Sequence, residues 1–327
     1  MSAALLNETP SSAGAFARYS DVAVILPAEF DLQSGEKLSR PELQLRIYGD
    51  ASLRAIAVAG GVSAGRIVAD DGARKGWWRD IVSDGAAIDL QKFCVVSFDF
   101  LPNPGEAACT ISTADQAMAL KFALEKAGIP RLFAFVGASY GGMVALAFAE
   151  RFSGGVEKLC VISAAERPNA SATAIRGVQR RIIEFAERCG ESGEGVSLAR
   201  QLAMISYRTG EEFDARFEHK PGAAAGARYA VCDYLVARGG AYQMSPKRYV
   251  TLSDSIDRHR VDLSRITART LAIGAQSDRL VPEADMRRLA AGIAAAELRL
   301  VPSLYGHDAF LKETHAIGPL IRNFIEE

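Results

Sequence analysis

Two periods divide the apolar positions of this 327-residue chain. Short, nearly unbroken apolar runs over residues 53–59, 93–99, 132–136, 158–163 and 269–274 predict strands buried on both faces, residues 297–301 predict a further strand, and residues 43–48 alternate as a half-buried strand. Helical stretches separate them. Ser112-Thr113-Ala114-Asp115 offers a capping box for a helix to about Lys126, stopped by Gly128 and Pro130, and residues 143–150 predict another helix. Connections of helical length between buried strands imply a mostly parallel sheet with helices on both faces. The alternation breaks between residues 164 and 264. No buried strand is predicted there, only helices over 174–189, 197–207 and 246–258, the last opened by Ser245 as N-cap and Pro246 at its first position. Around residues 221–226 the chain reads as a flexible stretch. The expected architecture is therefore α/β: an N-terminal segment (1–39), a core (40–163 and 265–327) and an inserted helical lid (164–264).

Composition narrows the function. About half the chain is apolar (49%), enough for a large core, and a net charge of −1 gives no electrostatic case for nucleic acid or an anionic membrane surface. The first twenty residues have neither a basic nor an apolar leader pattern, and no run reaches transmembrane length. Cys94, Cys109, Cys160, Cys189 and Cys232 show no C-x-x-C pairing, an odd number that favours reduced thiols; Cys94 and Cys160 fall in predicted core strands. The expectation is a cytoplasmic protein with no metal cluster and no tightly bound cofactor. The loop Gly60-Gly61-Val62-Ser63-Ala64-Gly65 lacks the spacing and the following helix of a dinucleotide fingerprint.

The candidate chemistry centres on Val136-Gly137-Ala138-Ser139-Tyr140-Gly141-Gly142, which joins a predicted strand to a predicted helix. Strand, sharp glycine turn and helix are the context of a nucleophile elbow, in which Ser139 stands exposed at a helix N-terminus. Read alone, the same residues are an ordinary glycine-rich turn. The strands ending near residues 274 and 301 are followed by Asp278 and His307. Serine, then aspartate, then histidine, each just past a strand's carboxyl end, is the chain order of an α/β-hydrolase triad. A serine hydroxyl is too weakly acidic to attack a carbonyl unaided. His307 would take its proton, and Asp278 would fix the imidazole tautomer and stabilise the imidazolium. Asp278 alternatively reads as a helix N-cap ahead of Pro282. His219, His259 and His315 follow no predicted strand and read as surface or capping histidines. The loop 60–65, after the strand expected beside the nucleophile strand, is where such folds place a second oxyanion donor.

Gly137-Ala138-Ser139-Tyr140-Gly141-Gly142-Met143, the tail Gly306-His307-Asp308-Ala309-Phe310-Leu311, and Gly76-Trp77-Trp78 with Gly85-Ala86-Ala87-Ile88-Asp89 resemble the homoserine O-acetyltransferases, a family with the α/β-hydrolase fold. Residues 198–208 and 249–257 are similar to its lid segments. The resemblance implies ping-pong transfer of an acyl group from acyl-CoA, acetyl-CoA by default and succinyl-CoA as competitor, through Ser139 to the hydroxyl of homoserine or serine. It implies backbone oxyanion donors at Tyr140 and Val62, Arg200 on the acceptor's carboxylate, Asp308 on its ammonium, and a homodimer formed through the lid. Without the resemblance, Arg200 reads as a solvated charge and Asp308 as a helix cap. Tyr207 lies seven residues after Arg200, hence on the same helical face, and would line the same pocket. One departure concerns residues 100–109, where the family carries a longer loop bordering the acyl entrance.

Overall fold

The computed structural model describes residues 17–217 and 229–327; His219 and the 221–226 stretch lie outside them. Among the described residues an eight-stranded sheet runs, in spatial order, Tyr19–Ile25, Glu42–Tyr48, Cys94–Phe98, Ala55–Ala59, Leu132–Ala138, Val156–Ile162, Arg269–Ala275, Ala296–Val301. Glu42–Tyr48 pairs antiparallel with both its neighbours, and the remaining pairings are parallel. The sheet thus begins inside the 1–39 segment. Tyr19–Ile25 carries Val22 and Val24 on its inward face, an alternation short enough to be missed in a polar N-terminal stretch.

Alternate residues of each central strand feed opposite layers, as a period of two requires. Ala57, Val96, Phe135, Val161 and Ala272 join the core that also holds Leu120, Val144 and Met286 from the helices Thr113–Lys126, Tyr140–Arg151 and Glu283–Gly292. Ile56, Val95, Val136, Cys160 and Ile273 join the opposite core with Trp78 and with Ile321 and Phe324 of the helix Thr314–Glu326. The capping box forms as read: Asp115 N–H donates to Ser112 Oγ (3.1 Å) and Ser112 N–H to Asp115 Oδ2 (2.8 Å).

Between Val156–Ile162 and Arg269–Ala275 the chain forms the helices Ala170–Arg188, Ser192–Tyr207, Gly210–Arg216, Ala230–Gly240 and Pro246–Arg258. Asn169, Thr209 and Ser245 cap three of them, accepting from the backbone of Ala172, Glu212 and Arg248. The first two helices start four and five residues earlier than the apolar period suggests, the first because the Asn169 cap precedes the first periodic residue, while Pro246–Arg258 starts as expected. A separate small core, Ile183, Val196, Ala199 and Tyr249, holds this insertion together.

His315 is exposed, as expected, but His259 is not a surface residue. It occupies the C-cap of Pro246–Arg258 and is fully enclosed: Nε2–H donates to Ala165 O (3.1 Å), so Nδ1 must accept from the Thr113 hydroxyl (2.7 Å). The ring ties the last insertion helix to the point where the insertion leaves the sheet. Burial holds its pKa down at about 3.

Candidate active site

The turn after Leu132–Ala138 is forced by close backbone approach. A Cβ at Gly137 would lie 2.4 Å from Gly141 O, and one at Gly141 would lie 2.4 Å from Ala59 O. Gly141 N–H donates to Gly60 O (2.8 Å), so the turn and the 60–65 loop pack as one unit. Between these glycines Ser139 takes φ +54°, ψ −122°, a conformation an L-residue rarely adopts and tightly packed surroundings must hold. The strain places its side chain in the pocket at the start of the helix Tyr140–Arg151.

Ser139 Oγ lies 2.8 Å from His307 Nε2, and His307 Nδ1 lies 2.8 Å from Asp278 Oδ2. Asp278 Oδ1 accepts from the backbone of Leu280 (2.8 Å) and Val281 (3.0 Å). The same carboxylate therefore orders its own turn and faces the imidazole, while the next helix starts at Glu283 behind Pro282. Burial opposes protonation of His307, but the charge and hydrogen bond of Asp278 outweigh it and raise the imidazole's pKa above its ordinary value. Trp78 Nε1–H donates to Phe310 O (2.9 Å), and Trp77 Nε1–H to Gly65 O (3.0 Å). The tryptophan pair thus braces both the histidine segment and the glycine loop.

Val62 and Tyr140 line the cavity with Ser139 and His307. Tyr140 opens its helix, where backbone N–H groups have no intrahelical acceptor; Val62 sits in a turn closed by Ala64 N–H to Gly61 O (2.8 Å). The Tyr140 hydroxyl points away from the reaction space to Ser255 Oγ (2.7 Å).

Arg200 and Tyr207 also line this cavity, on the second insertion helix. The guanidinium lies 4.7 Å from the ring of Tyr242 and 5.5 Å from that of Tyr207, and among the described residues no carboxylate pairs with it. Tyr207 in turn lies 5.9 Å from the His307 ring. Asp308 stands at the head of the short helix Ala309–Lys312. It makes no side-chain cap, and its Oδ2 accepts from Arg208 Nε (2.6 Å) while Arg208 Nη1 reaches Glu212 (2.8 Å). All three side chains are nearly buried, so the carboxylate beside His307 is already half-neutralised by an arginine that sequence reasoning missed. The i,i+4 spacing of Arg208 and Glu212 was its one local signal. Tyr242 was missed too; its hydroxyl meets Ser63 Oγ (2.7 Å) and joins the insertion to the glycine loop.

Residues 100–109 do not line the cavity. Phe100 packs edge-on against Tyr140, and the carbonyls of Phe100 and Pro102 accept from Arg248. Among the described residues no cluster of histidine, cysteine, aspartate and glutamate is arranged to hold a metal, and no helix is long and apolar enough to cross a membrane.

A family model described as the alpha/beta hydrolase fold matches residues 72–314. The chain is 40% identical over 289 residues to homoserine O-succinyltransferase of Xanthomonas campestris, covering 86% of this chain and 78% of the relative. It is 31% identical over 347 residues to homoserine O-acetyltransferase of Leifsonia xyli, covering 90% and 86%. The solved structure of homoserine O-acetyltransferase from Staphylococcus aureus superposes with a TM-score of 0.82 at 22% identity, covering 94% of this chain and 96% of that one, a likeness of fold. With its nucleophile-elbow geometry and these relatives, the chain belongs to the homoserine O-acyltransferases of the α/β-hydrolase fold.

Proposed function

We propose that this enzyme transfers an acyl group from acyl-CoA to the hydroxyl of L-homoserine by double displacement through Ser139, a step of methionine biosynthesis. The observation that carries the reading is the unbroken chain from Ser139 Oγ through His307 to Asp278, opening on a cavity that also presents Arg200. In the first half-reaction Ser139 Oγ attacks the thioester carbonyl as His307 Nε2 takes its proton. The oxyanion faces the N–H groups of Tyr140 and Val62, then collapses, breaking the C–S bond; the thiolate leaves with the proton from His307. In the second, the acceptor hydroxyl gives its proton to His307 and attacks the acyl carbon, and the proton passes to Ser139 as the ester bond breaks. Arg200 offers a planar fork for the acceptor's carboxylate, with apolar ring faces to hold it in plane. Asp308 Oδ1, left by Arg208, receives the ammonium.

The helical insertion acts as a lid that keeps water from the acyl-enzyme, since transfer must outrun hydrolysis. A homodimer through this lid is supported by Val178, Phe185, Leu198 and Ile205, all exposed apolar residues on its first two helices. Unpaired thiols at all five cysteines support a cytoplasmic setting. The test is free-thiol release from acyl-CoA with L-homoserine, with L-serine and with no acceptor. Release that requires homoserine, and is lost in a folded Ser139→Ala variant, is expected. Equal release without any acceptor would make the protein a thioesterase.

A further inference from the structure

The turn that carries His307 and Asp308 is gripped by the stretch of the insertion from Tyr207 to Glu212. Gly306 takes φ +57°, and a Cβ there would lie 2.6 Å from Tyr207 O, so the two backbones touch. Thr209 Oγ1 donates to Leu304 O (2.6 Å) and accepts from Glu212 N–H (3.0 Å), which docks the start of the helix Gly210–Arg216 on the same turn. Arg208 lies between these contacts. Its guanidinium is divided: Nε–H donates to Asp308 Oδ2 (2.6 Å) and Nη1–H to Glu212 Oε1 (2.8 Å). An arginine free to choose its angle takes both oxygens of a carboxylate. Held at Nη1 by Glu212, this one meets Asp308 through Nε alone, and Asp308 Oδ1 accepts no hydrogen bond among the described residues. Stability does not account for the arrangement. Two carboxylates meet one nearly buried arginine, with Arg216 3.5 Å from Glu212, and Glu212 Oε2 is buried without a donor among the described residues. A buried acceptor left unpaired is costly, and a buried ion cluster is a poor way to hold a fold. What the cluster delivers is one fixed carboxylate oxygen, on a side chain near enough for its charge to act on the His307 imidazole.

We propose that Arg208, its angle set by Glu212, is the positioning residue for acceptor recognition: it pins Asp308 by one oxygen and leaves the other for the acceptor's ammonium, so that the enzyme selects hydroxy acids bearing an α-ammonium. The inference rests on the acyl-transfer reading and deepens it by naming what orients the group that answers the acceptor's positive charge. Arg208 acts through Asp308 and touches no reacting atom. Arg200 and the pinned Asp308 hold the two charges of a zwitterion, and a two-point hold sets its side-chain hydroxyl against His307 Nε2 in one orientation. A lysine at this position is a point charge without a planar fork and cannot answer both carboxylates at fixed angles. Loss of Glu212 acts from the other side. It frees the guanidinium to turn and take both oxygens of Asp308, which then has none left for the ammonium.

The experiment measures kcat and KM for L-homoserine and for 4-hydroxybutyrate, which lacks the ammonium, in the wild type, Arg208→Lys and Glu212→Met. The rate at which acyl-CoA labels Ser139 is measured beside them, all above the acid limb of the rate profile, with whichever of acetyl-CoA and succinyl-CoA the wild type uses. The wild type should favour homoserine by about 100-fold or more in kcat/KM. Both variants should cut that ratio by about 10-fold or more through KM for homoserine, while turnover of 4-hydroxybutyrate and labelling of Ser139 keep their wild-type rates. A wild type indifferent to the ammonium overturns the inference. So does a variant that slows both acceptors and Ser139 labelling by one factor, the mark of an arginine serving only the fold. Should Arg208→Lys not fold, Glu212→Met, which leaves Arg208 in place, still decides. Homoserine-dependent release with an unmoved ratio sinks this inference and leaves the acyl-transfer reading standing; no acceptor-dependent release from either donor sinks that reading itself.

Discussion

His259 makes the protein acid-labile in a calculable way. Its ring is buried and neutral, donating to Ala165 O and accepting from Thr113, and its pKa in the folded state is about 3 against 6.5 for the free side chain. A histidine whose folded pKa is depressed binds its proton in the unfolded chain first. Its contribution to stability is therefore intact above the unfolded value and is lost as pH falls through it, down to the folded value. By linkage, lowering the pH from 7 to 5 should cost about 2 kcal/mol through this residue alone, and the loss should reach about 4 kcal/mol by pH 3. The assay is urea unfolding of the wild type and of His259→Gln, which keeps a donor toward Ala165, at pH 7, 6 and 5. Other carboxylates and histidines titrate equally in both, so the difference between the two stability curves isolates His259. His259→Gln should be the less stable protein at pH 7 and should close that gap by about 2 kcal/mol at pH 5. Parallel curves would refute the reasoning and mean that the ring is solvated or that its partners rotate to accept a proton.

Three further outcomes follow from the site. Arg208→Met leaves the nearly buried Asp308 without its arginine and Glu212 with Arg216 alone, and should cost about 3–5 kcal/mol in urea unfolding, with Arg208→Lys recovering part; an unchanged midpoint would show the trio to be solvated. Because Asp278 raises the pKa of His307, the acid limb of kcat/KM should lie above pH 6.5, and Asp278→Asn should move it downward while cutting kcat steeply; a limb that does not move would separate it from His307. Phe185→Glu, on the exposed face of the first lid helix, should halve the sedimenting mass without slowing Ser139 labelling, and a wild type already at the protomer mass would remove the dimer.

The parts of the site that sequence made legible are those encoded locally. Gly137, Ser139 and Gly141 sit within one turn, Asp278 follows a strand marked by an apolar run and His307 one marked by the alternation Leu298, Leu300, so period and chain order suffice to bring them together. The helix Thr113–Lys126 was legible for the same reason, its capping box spanning four residues. What stayed hidden depends on pairs far apart in sequence. Arg176 and Asp257 are 81 residues apart, Arg208 and Asp308 are 100, and His259 and Thr113 are 146. No periodicity announces such a pair, and each member alone reads as a solvated charge or a capping histidine. The edge strand Tyr19–Ile25 was hidden for a different reason: at the end of a sheet only one face is buried, and two valines among polar residues carry little signal.

These two kinds of information map onto two parts of the molecule, and the division has a chemical logic. The loops at the strand ends supply Ser139, His307, Asp278 and the N–H groups of Tyr140 and Val62, which is what any acyl transfer through serine needs, whatever the acyl group and whatever accepts it. The insertion supplies Arg200 and Tyr207, a charge and a ring face that suit particular substrates. The Arg200 guanidinium, set against the rings of Tyr207 and Tyr242, acts through binding and orientation of the acceptor. Acceptor binding should accordingly be separable from acyl-enzyme formation by substitution. Arg200→Gln should raise KM for homoserine while acyl-CoA labels Ser139 at the wild-type rate, because the acceptor enters only in the second half-reaction. A variant in which Ser139 labelling slows as much as transfer would place Arg200 in the first half-reaction, and the separation of roles would fail with it.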